Sequence, residues 1–380
     1  MMVLCRRTRD ELFDKMDHGI VLHDTDVQTI ARRINIDLQI PRFNASLRWV
    51  QDFKANAGIT SRHVTRIVSR RSLQMRTTTE ANARQFVQDI RALNFQPAFI
   101  VNADQSGFLK QFISGRSLAP IGSRSVERIA QAVDSTTHSY TVMPMIFADG
   151  RLGKKLFVVL QERNGQFPRT FDPDRFNNLS VHCHTSHMMT KDLMFEWISD
   201  CVASEVPNNT LLILDDWSSW RDVNHQAMQN RMPRGKRLTI RNMPKGSTSM
   251  IQPLDVYFFR VFKSFVRRIH QHVMAHGEII NFQIAQRDNI LTVLEVVYNQ
   301  FCNPMFRQFL RYSWQKSGYI DGYIAGSETE FDTPVKSCFP KDSATICQHQ
   351  ACQSLSFIRC SYCSSSFCFN HFIVNKHIHQ

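Results

Sequence analysis

Residues 210–220 read TLLILDDWSSW. Leu211 to Leu214 form an unbroken apolar run of the kind carried by a strand inside a core. The run stops on two adjacent acids, Asp215 and Asp216, and Trp217 and Trp220 follow. An acid at a strand end is either a polar cap where the chain meets water or a metal ligand at the rim of a sheet. The segments on either side decide between these.

Ahead of the run lie PAFIVNADQSG (97–107), SYTVMPMIFADG (139–150) and KKLFVVLQE (154–162), punctuated by Gly107, Gly150 and Asn164-Gly165. They read as three strands joined by turns. TKDLMFEWISDCVAS (190–204) has helical spacing and leads into the quoted strand; DVNHQAMQNRM (222–232) reads as a helix, KRLTIRN (236–242) as a strand, and LDVYFFRVFKSFVRRIHQHVMAH (254–276) as a long helix. Three strands, helix, strand, helix, strand, helix is the order of a mixed sheet covered by helices. Residues 277 to about 325 continue as helix.

Three acids stand at corresponding places in this order. Asp104 ends the first strand, Asp215 the fourth, and Asp255 opens the long helix. On that helix Asp255, Phe259, Phe262 and Val266 share one face, which aims the acid at the sheet. The physical use of such a trio is to hold Mg2+ or Mn2+, hard cations that take carboxylate oxygens. Two such ions about 3.5–4 Å apart activate a water or a 3′-hydroxyl and stabilise the leaving oxygen of a phosphodiester. Without a cation, packed carboxylates repel and raise one another's pKa. Taken singly, Asp104 also reads as a turn residue before Gly107, and Asp255 as a helix cap. Asp215 is preferred to Asp216 because it is the first polar residue after the run.

The first 72 residues read as short helices: RTRDELFDKM, TDVQTIARRINIDL with Asp24 and Thr25 as cap residues, and ASLRWVQDFKANAGI capped by Ser46 and ended by Gly58. Trp49 and Phe53 are expected in the core. TSRHVTRIVSRR then puts Arg62, Arg66 and Arg70 along one helix face. Arg48, Arg62, His63, Arg66, Arg70 and Arg71 are the candidate DNA contacts. Lys263, Arg267 and Arg268 on the long helix are further candidates for phosphate. Lys and Arg number 46 against 33 Asp and Glu, a net charge of +13, which attracts polyanions, nucleic acid first. No apolar stretch approaches the roughly 20 residues of a membrane helix, and MMVLCRRTRDELF has no signal-peptide core.

Six of the ten cysteines fall between Cys338 and Cys368. Without a secretory signal this argues for metal rather than disulfides. Cys347, Cys352, Cys360, Cys363, Cys368, His371, His377 and His379 are the candidate ligands, with His349 an alternative in the first pair. Zn2+ takes four thiolate or imidazole ligands in a tetrahedron. Eight candidates suit two interleaved ions; one ion on Cys360, Cys363, Cys368 and His371 is the narrower reading. A segment this short has too little core to fold without a metal. His182, His184 and His187 match no site.

The stretches VNADQSGF, TTHSYTVMPMIFADGRLGKKLFVVLQERNG, LLILDDWSSW and STSMIQPLDVYFFRVFKSF together resemble the catalytic domain of the pogo/Tigger-like DDE transposases of the mariner-related superfamily. The resemblance implies an RNase H-like fold, with Asp104, Asp215 and Asp255 as the catalytic, Mg2+-binding triad. Asp104 falls in that family's Asp-Glu-Ser/Thr-Gly motif and Asp255 follows its Gln-Pro-Leu motif. Gln105 stands where many relatives have Glu, and Trp217 and Trp220 replace a His-bearing stretch. HDTDVQTIARRINIDL and RFNASLRWVQDFKANAGITSRHVTR are similar to a centromere-protein-B type helix-turn-helix. Such proteins often carry another helix-turn-helix ahead of it, and none is read here, as in a shortened element or an incomplete gene model.

The expected architecture is multidomain, α plus α/β. It comprises a helix-turn-helix domain (1–72), a helical linker (73–96) and an RNase H-like mixed-sheet domain (97–276). A helical extension (277–330), a linker (331–345) and a zinc-stabilised segment (346–380) follow. The implied function is metal-dependent DNA cleavage and strand transfer in the nucleus, on double-stranded transposon ends and as a homodimer on DNA. The alternative is a domesticated descendant that binds DNA without chemistry.

Overall fold

The computed structural model describes residues 1–62, 64, 75–113, 117–121, 125, 127, 129–216, 225–277, 280–321, 333–340 and 346–379. The chain divides into two compact units, residues 1–80 and 81–380.

The first unit packs α1 (Met2–Asp17), α2 (Asp24–Leu38) and α3 (Leu47–Asn56) around Leu4, Leu12, Val27, Ile30, Ile34, Val50 and Phe53. Ser46 caps α3 as expected, its Oγ accepting from Trp49 N at 3.2 Å. Gly58, at φ +66°, ends it by letting Ile59 N reach Lys54 O at 2.8 Å. The cap of α2 differs from expectation. His23 precedes the helix, and its backbone N–H donates to the Asp26 carboxylate at 2.7 Å, so Asp24 and Thr25 lie inside the first turn. Phe53 is buried, while half-buried Trp49 stacks on it at 5.1 Å.

The second unit is built on a mixed sheet. Its strands are β1 (Ile100–Ala103), β2 (Ser106–Leu109), β3 (Ser139–Met143), β4 (Met145–Phe147), β5 (Leu156–Gln161), β6 (Leu179–His184), β7 (Thr210–Leu214) and β8 (Leu238–Asn242). Ala103 pairs with Met145 and Ser106 with Val142, both antiparallel, so the register runs straight from β1–β2 into β3–β4. At the interruption Asp104 stands across from Pro144, which has no N–H to give to a ladder. The strands form two four-stranded sheets, β4–β1–β7–β8 and β2–β3–β5–β6, which meet end to end where β1 runs on to β2 and β3 to β4; β7 is parallel to both β1 and β8. Strand β6 was not expected. Its three histidine- and cysteine-bearing residues break the apolar pattern, and the strand forms because Leu179, Ser180 and Val181 pair with Leu156, Phe157 and Val158.

Alternation along β7 explains its continuous apolar run. Leu211 and Ile213 enter the core on one face of the sheet, and Leu212 and Leu214 the core on the other. The second face is covered by α5 (Lys191–Trp197) and its continuation through Glu205, with Trp197 fully buried. The first face receives α4 (Arg76–Ala92) and the long helix. That helix starts with a wide π-type turn at Leu254–Phe258 and runs on as α8 (Phe259–Ala275), after α6 (His225–Gln229) and α7 (Thr248–Ile251). Phe262 lies among the rings of Phe108, Phe258 and Phe301, with centroids 5.0–5.5 Å away. Behind α8 stand α9 (Arg287–Phe301) and α10 (Arg307–Lys316). Trp314 and Tyr319 pack together there, both buried.

The Cys/His tail joins this same core. After α11 (Pro334–Cys338), a short hairpin of β9 (Ile358–Arg359) and β10 (Ser366–Phe367) leads to a final helical turn, Asn370–Val374. Ile358, Phe367, Phe369, Phe372 and Ile373 are buried in one cluster with α8 and α9. Phe357 stacks on His272 at 3.8 Å.

His270 on α8 is buried, and its Nδ1 accepts from Phe112 N at 3.0 Å, so the ring is neutral. Burial pulls its pKa down to about 3, against about 6.5 in an unfolded chain. Below about pH 6.5 the unfolded chain takes up a proton that the folded one refuses, and stability falls with pH. The urea midpoint is expected to drop between pH 7 and pH 5. The drop should be smaller in His270→Gln, which keeps an acceptor for Phe112.

Candidate catalytic and metal-binding sites

The β1–β7 register pairs Asn102 with Ile213. Carried on by two residues, it sets Asp104 beside Asp215 on adjacent parallel strands, which lie about 4.8 Å apart. The alternation puts both side chains on the face that α8 covers, the face of Ile213; Asp216 falls on the opposite one. Asp255 approaches from that covering layer, in the turn that opens the long helix.

The three acids are close enough to act on one another's charge. Burial pushes the Asp104 carboxyl well above the usual carboxylate range, and the Asp255 and Asp215 carboxylates push it further. The Gln105 backbone N–H and the Gln252 side chain act in the opposite sense. Desolvation also raises Asp255, although its side chain reaches solvent; Asp215 adds to the rise and Lys263 opposes it. Asp215 Oδ1 accepts from Thr248 Oγ1 and from Asp216 N, both at 2.8 Å. Half-buried Lys263 lies over the rings of Phe108 and Phe259, at 5.1 and 6.0 Å from their centroids. One buried side chain ties the supporting segments together. Asn102 Nδ2 donates to Ile213 O at 3.0 Å and to Gln252 Oε1 at 2.8 Å. None of Asn102, Thr248 and Gln252 was marked by the sequence reading; only the Gln-Pro-Leu motif before Asp255 pointed toward Gln252.

The tail gathers its donors into two sets. Cys347, Cys352, Cys368 and His371 form one, and Cys360, Cys363, His377 and His379 the other; within each set the four donor atoms lie within 4.8 Å of one another. This is the interleaved arrangement. The narrower set of Cys360, Cys363, Cys368 and His371 is not brought together, because the β9–β10 hairpin separates its two pairs. His349 belongs to neither set and stacks on His371 at 3.8 Å. His371 Nδ1 lies 3.4 Å from Cys347 Sγ and 3.2 Å from Cys368 Sγ. In the second set His377 Nε2 is 3.5 Å from Cys363 Sγ and 3.0 Å from His379 Nε2. Burial raises the thiols of Cys360 and of Cys368, the latter to about 11, so both need a cation to become thiolates near neutral pH.

The second set sits on α9. His379 and Asn299 exchange two hydrogen bonds, Tyr362 Oη donates to Asn299 O, and Ser361 N donates to Gln300 Oε1. Buried Glu295 takes Asn177 N on one oxygen at 2.9 Å and pairs with Lys376 Nζ on the other at 2.8 Å. Lys376 precedes His377 and turns the chain at φ +51°.

Of the candidate DNA contacts, Arg48 is exposed on α3, and Arg62 is exposed on irregular backbone rather than on the expected helix. His63, Arg66, Arg70 and Arg71 lie outside the described residues, as do Trp217 and Trp220. Arg267 and Arg268 lie over the rings of Phe112 and Phe339. His182 stacks on Phe157, and its Nε2 meets both Ser180 and Asp200; His187 bonds Ser139 and Thr141. His182 thus ties its strand to the helical segment carrying Asp200, and His187 ties the chain after β6 to β3.

Residues 138–301 match the family described as DDE superfamily endonuclease, and residues 314–379 match the Tc5 transposase C-terminal domain. The chain belongs with the DDE transposases. The first match includes Asp215 and Asp255, and the second includes all eight Cys and His ligand candidates. Among solved structures, a pre-cleavage Mos1 transpososome is similar at 9% identity, covering 81% of this chain and 76% of that one, with a TM-score of 0.44. The mariner Mos1 paired-end complex with Mg is similar at 9% identity, 82% and 79% coverage, and a TM-score of 0.42. Among the described residues no helix is long and apolar enough to cross a membrane.

Removing one partner of a buried pair leaves an uncompensated charge, at a cost of about 3–5 kcal/mol when both are fully buried. Lys376 is a third exposed, which lowers this. Lys376→Met is expected to destabilise the second unit by about 2 kcal/mol in urea unfolding. Adding Glu295→Gln should restore much of the loss.

Proposed function

We propose that this transposase-family chain binds transposon-end DNA, cuts its phosphodiester backbone and joins the freed end to a target. The carrying observation is the convergence of Asp104, Asp215 and Asp255, from two strand ends and one helix start, with Asp104 buried among like charges. Buried carboxylates so placed are costly unless a cation offsets them, and an all-oxygen donor set suits Mg2+ or Mn2+. When bound, divalent cations supply activation of a water or 3′-hydroxyl and stabilisation of the leaving oxygen.

The chain's own residues do the rest. Asp104, Asp215 and Asp255 hold the ions, and the sheet and α8 hold the acids. Lys263 faces the same space with a positive charge suited to a DNA phosphate. The first unit acts as a helix-turn-helix on the element end, with Arg48, Arg62, His63, Arg66, Arg70 and Arg71 as its contacts. The Mos1 relatives are paired-end and strand-transfer complexes, and we extend from them the reading that two copies of this chain work on paired DNA ends in the nucleus. Two structural Zn2+ ions in the tail complete the reading. The Cys3His and Cys2His2 sets have the donor chemistry of closed tetrahedral zinc sites, with nitrogen and sulfur atoms spaced as neighbouring ligands of one ion would be. Gln105 favours the second reading, a DNA-binding descendant without chemistry.

The test is Mn2+- or Mg2+-dependent cleavage of DNA bearing the terminal repeats. Wild type is expected to cut, and Asp104→Asn, Asp215→Asn and Asp255→Asn to bind the same DNA with cleavage reduced at least a thousandfold. Binding without cutting by the wild type establishes the second reading. Metal analysis of the purified chain should give two zinc ions, and one in Cys363→Ser.

A further inference from the structure

The segment from Thr248 to Asp255 does more than carry the third acid. It reaches each of the other two through a different side chain. Thr248 Oγ1 donates to Asp215 Oδ1 at 2.8 Å. Gln252 is fully buried and has its Oε1 taken by Asn102 Nδ2 at 2.8 Å. That fixes the orientation of its amide. The Nε2 end is buried and makes no hydrogen bond, and the Gln252 side chain favours the charged form of Asp104.

The segment is itself held in one place. Leu254 N meets Asn102 Oδ1 at 3.4 Å, and Asn102 is anchored across the sheet on Ile213 O at 3.0 Å. Within the segment, Gln252 N bonds Thr248 O and Val256 N bonds Gln252 O, so Thr248, Gln252 and Asp255 stand on one run of hydrogen-bonded turns.

We propose that Thr248 and Gln252 are positioning residues of the carboxylate site, each fixing the orientation of one acid from the segment that supplies the third. Asn102 is the anchor that holds this segment against the sheet. The inference rests on the reading of the three acids as a divalent-cation site, and adds how their oxygens are aimed. Bonds behind first ligands of this kind orient the ligand oxygens, and their loss weakens metal binding by about tenfold or more. Thr248 acts on the Asp215 oxygen bonded to Asp216 N, leaving Oδ2 for the cation. Gln252 acts on the buried acid, where like-charge repulsion would otherwise turn the carboxylate away.

The test uses the full chain with its tail zinc in place and titrates Mn2+, followed by its electron paramagnetic resonance signal, in the absence of DNA. Thermal unfolding of each variant and its binding to terminal-repeat DNA are measured alongside. Thr248→Val, which keeps shape and loses the hydroxyl, is expected to bind Mn2+ about tenfold more weakly. Thr248→Ser, which keeps the hydroxyl, should return to near wild type. Gln252→Met should lose a similar factor, with DNA binding unchanged in all three. Wild-type Mn2+ affinity in both Thr248→Val and Gln252→Met overturns the proposal. So does a Thr248→Ser as weak as Thr248→Val, because only packing would then be at stake. Asp215→Asn separates the two levels: if it binds Mn2+ as wild type does, the carboxylate reading itself fails and this inference goes with it.

Discussion

The hydrogen bond from Asn102 Nδ2 to Ile213 O joins residues 111 apart in the chain, inside the core, where an unmade bond would be expensive. It stands at the point where β1 meets β7, and the same nitrogen holds Gln252, 150 residues away. The pairing it secures determines which acids are neighbours. A slip of one residue between β1 and β7 would move Asp215 to the other face of the sheet, away from Asp255. The local ladder is also opened at this place, because Pro144 stands opposite Asp104 and offers no N–H.

Three acids placed in this way oppose folding unless a positive charge offsets them. Burial and mutual repulsion both raise Asp104, and the large apolar investment around it is what tolerates the arrangement. Phe258, Phe262, Phe265, Val266 and Ile269 of α8 and its preceding turn are fully buried. Each such side chain contributes about 1.5–3 kcal/mol by its removal from water. Strain of this kind at a site, held by a well-packed surround, is the usual pattern where local preference and function conflict.

The Cys/His tail belongs to the same economy of packing. Its hairpin is too short to enclose a core, yet its aromatic residues lie in the cluster formed by α8 and α9. Lys376, Asn299 and Ser361 stitch it to α9 by polar bonds. Whatever orders the two ligand sets therefore also orders the back of the helix that follows Asp255. A Cys/His segment built this way packs against α8 and α9 and is not a detached finger.

Much of this was legible in the residues. The apolar run at 211–214, the long amphipathic helix, the Ser46 cap and Gly58 turn of α3, and the three acids are all local patterns, and local patterns follow from strand and helix periodicity. Strand β6 was hidden because its apolar residues are few and its pairing with β5 supplies what its composition lacks. The His23 cap of α2 was missed because histidine seldom fills that position. What the tertiary structure alone decided was pairing: Asp104 beside Asp215, Thr248 on Asp215, Gln252 on Asn102, and Cys360–Cys363 with His377–His379 in place of Cys368–His371. Spacing along a chain tells which residues share a face, since the repeat of a strand or helix is fixed by the backbone. Which faces then meet depends on contacts between residues a hundred or more positions apart, and only the packed core selects those.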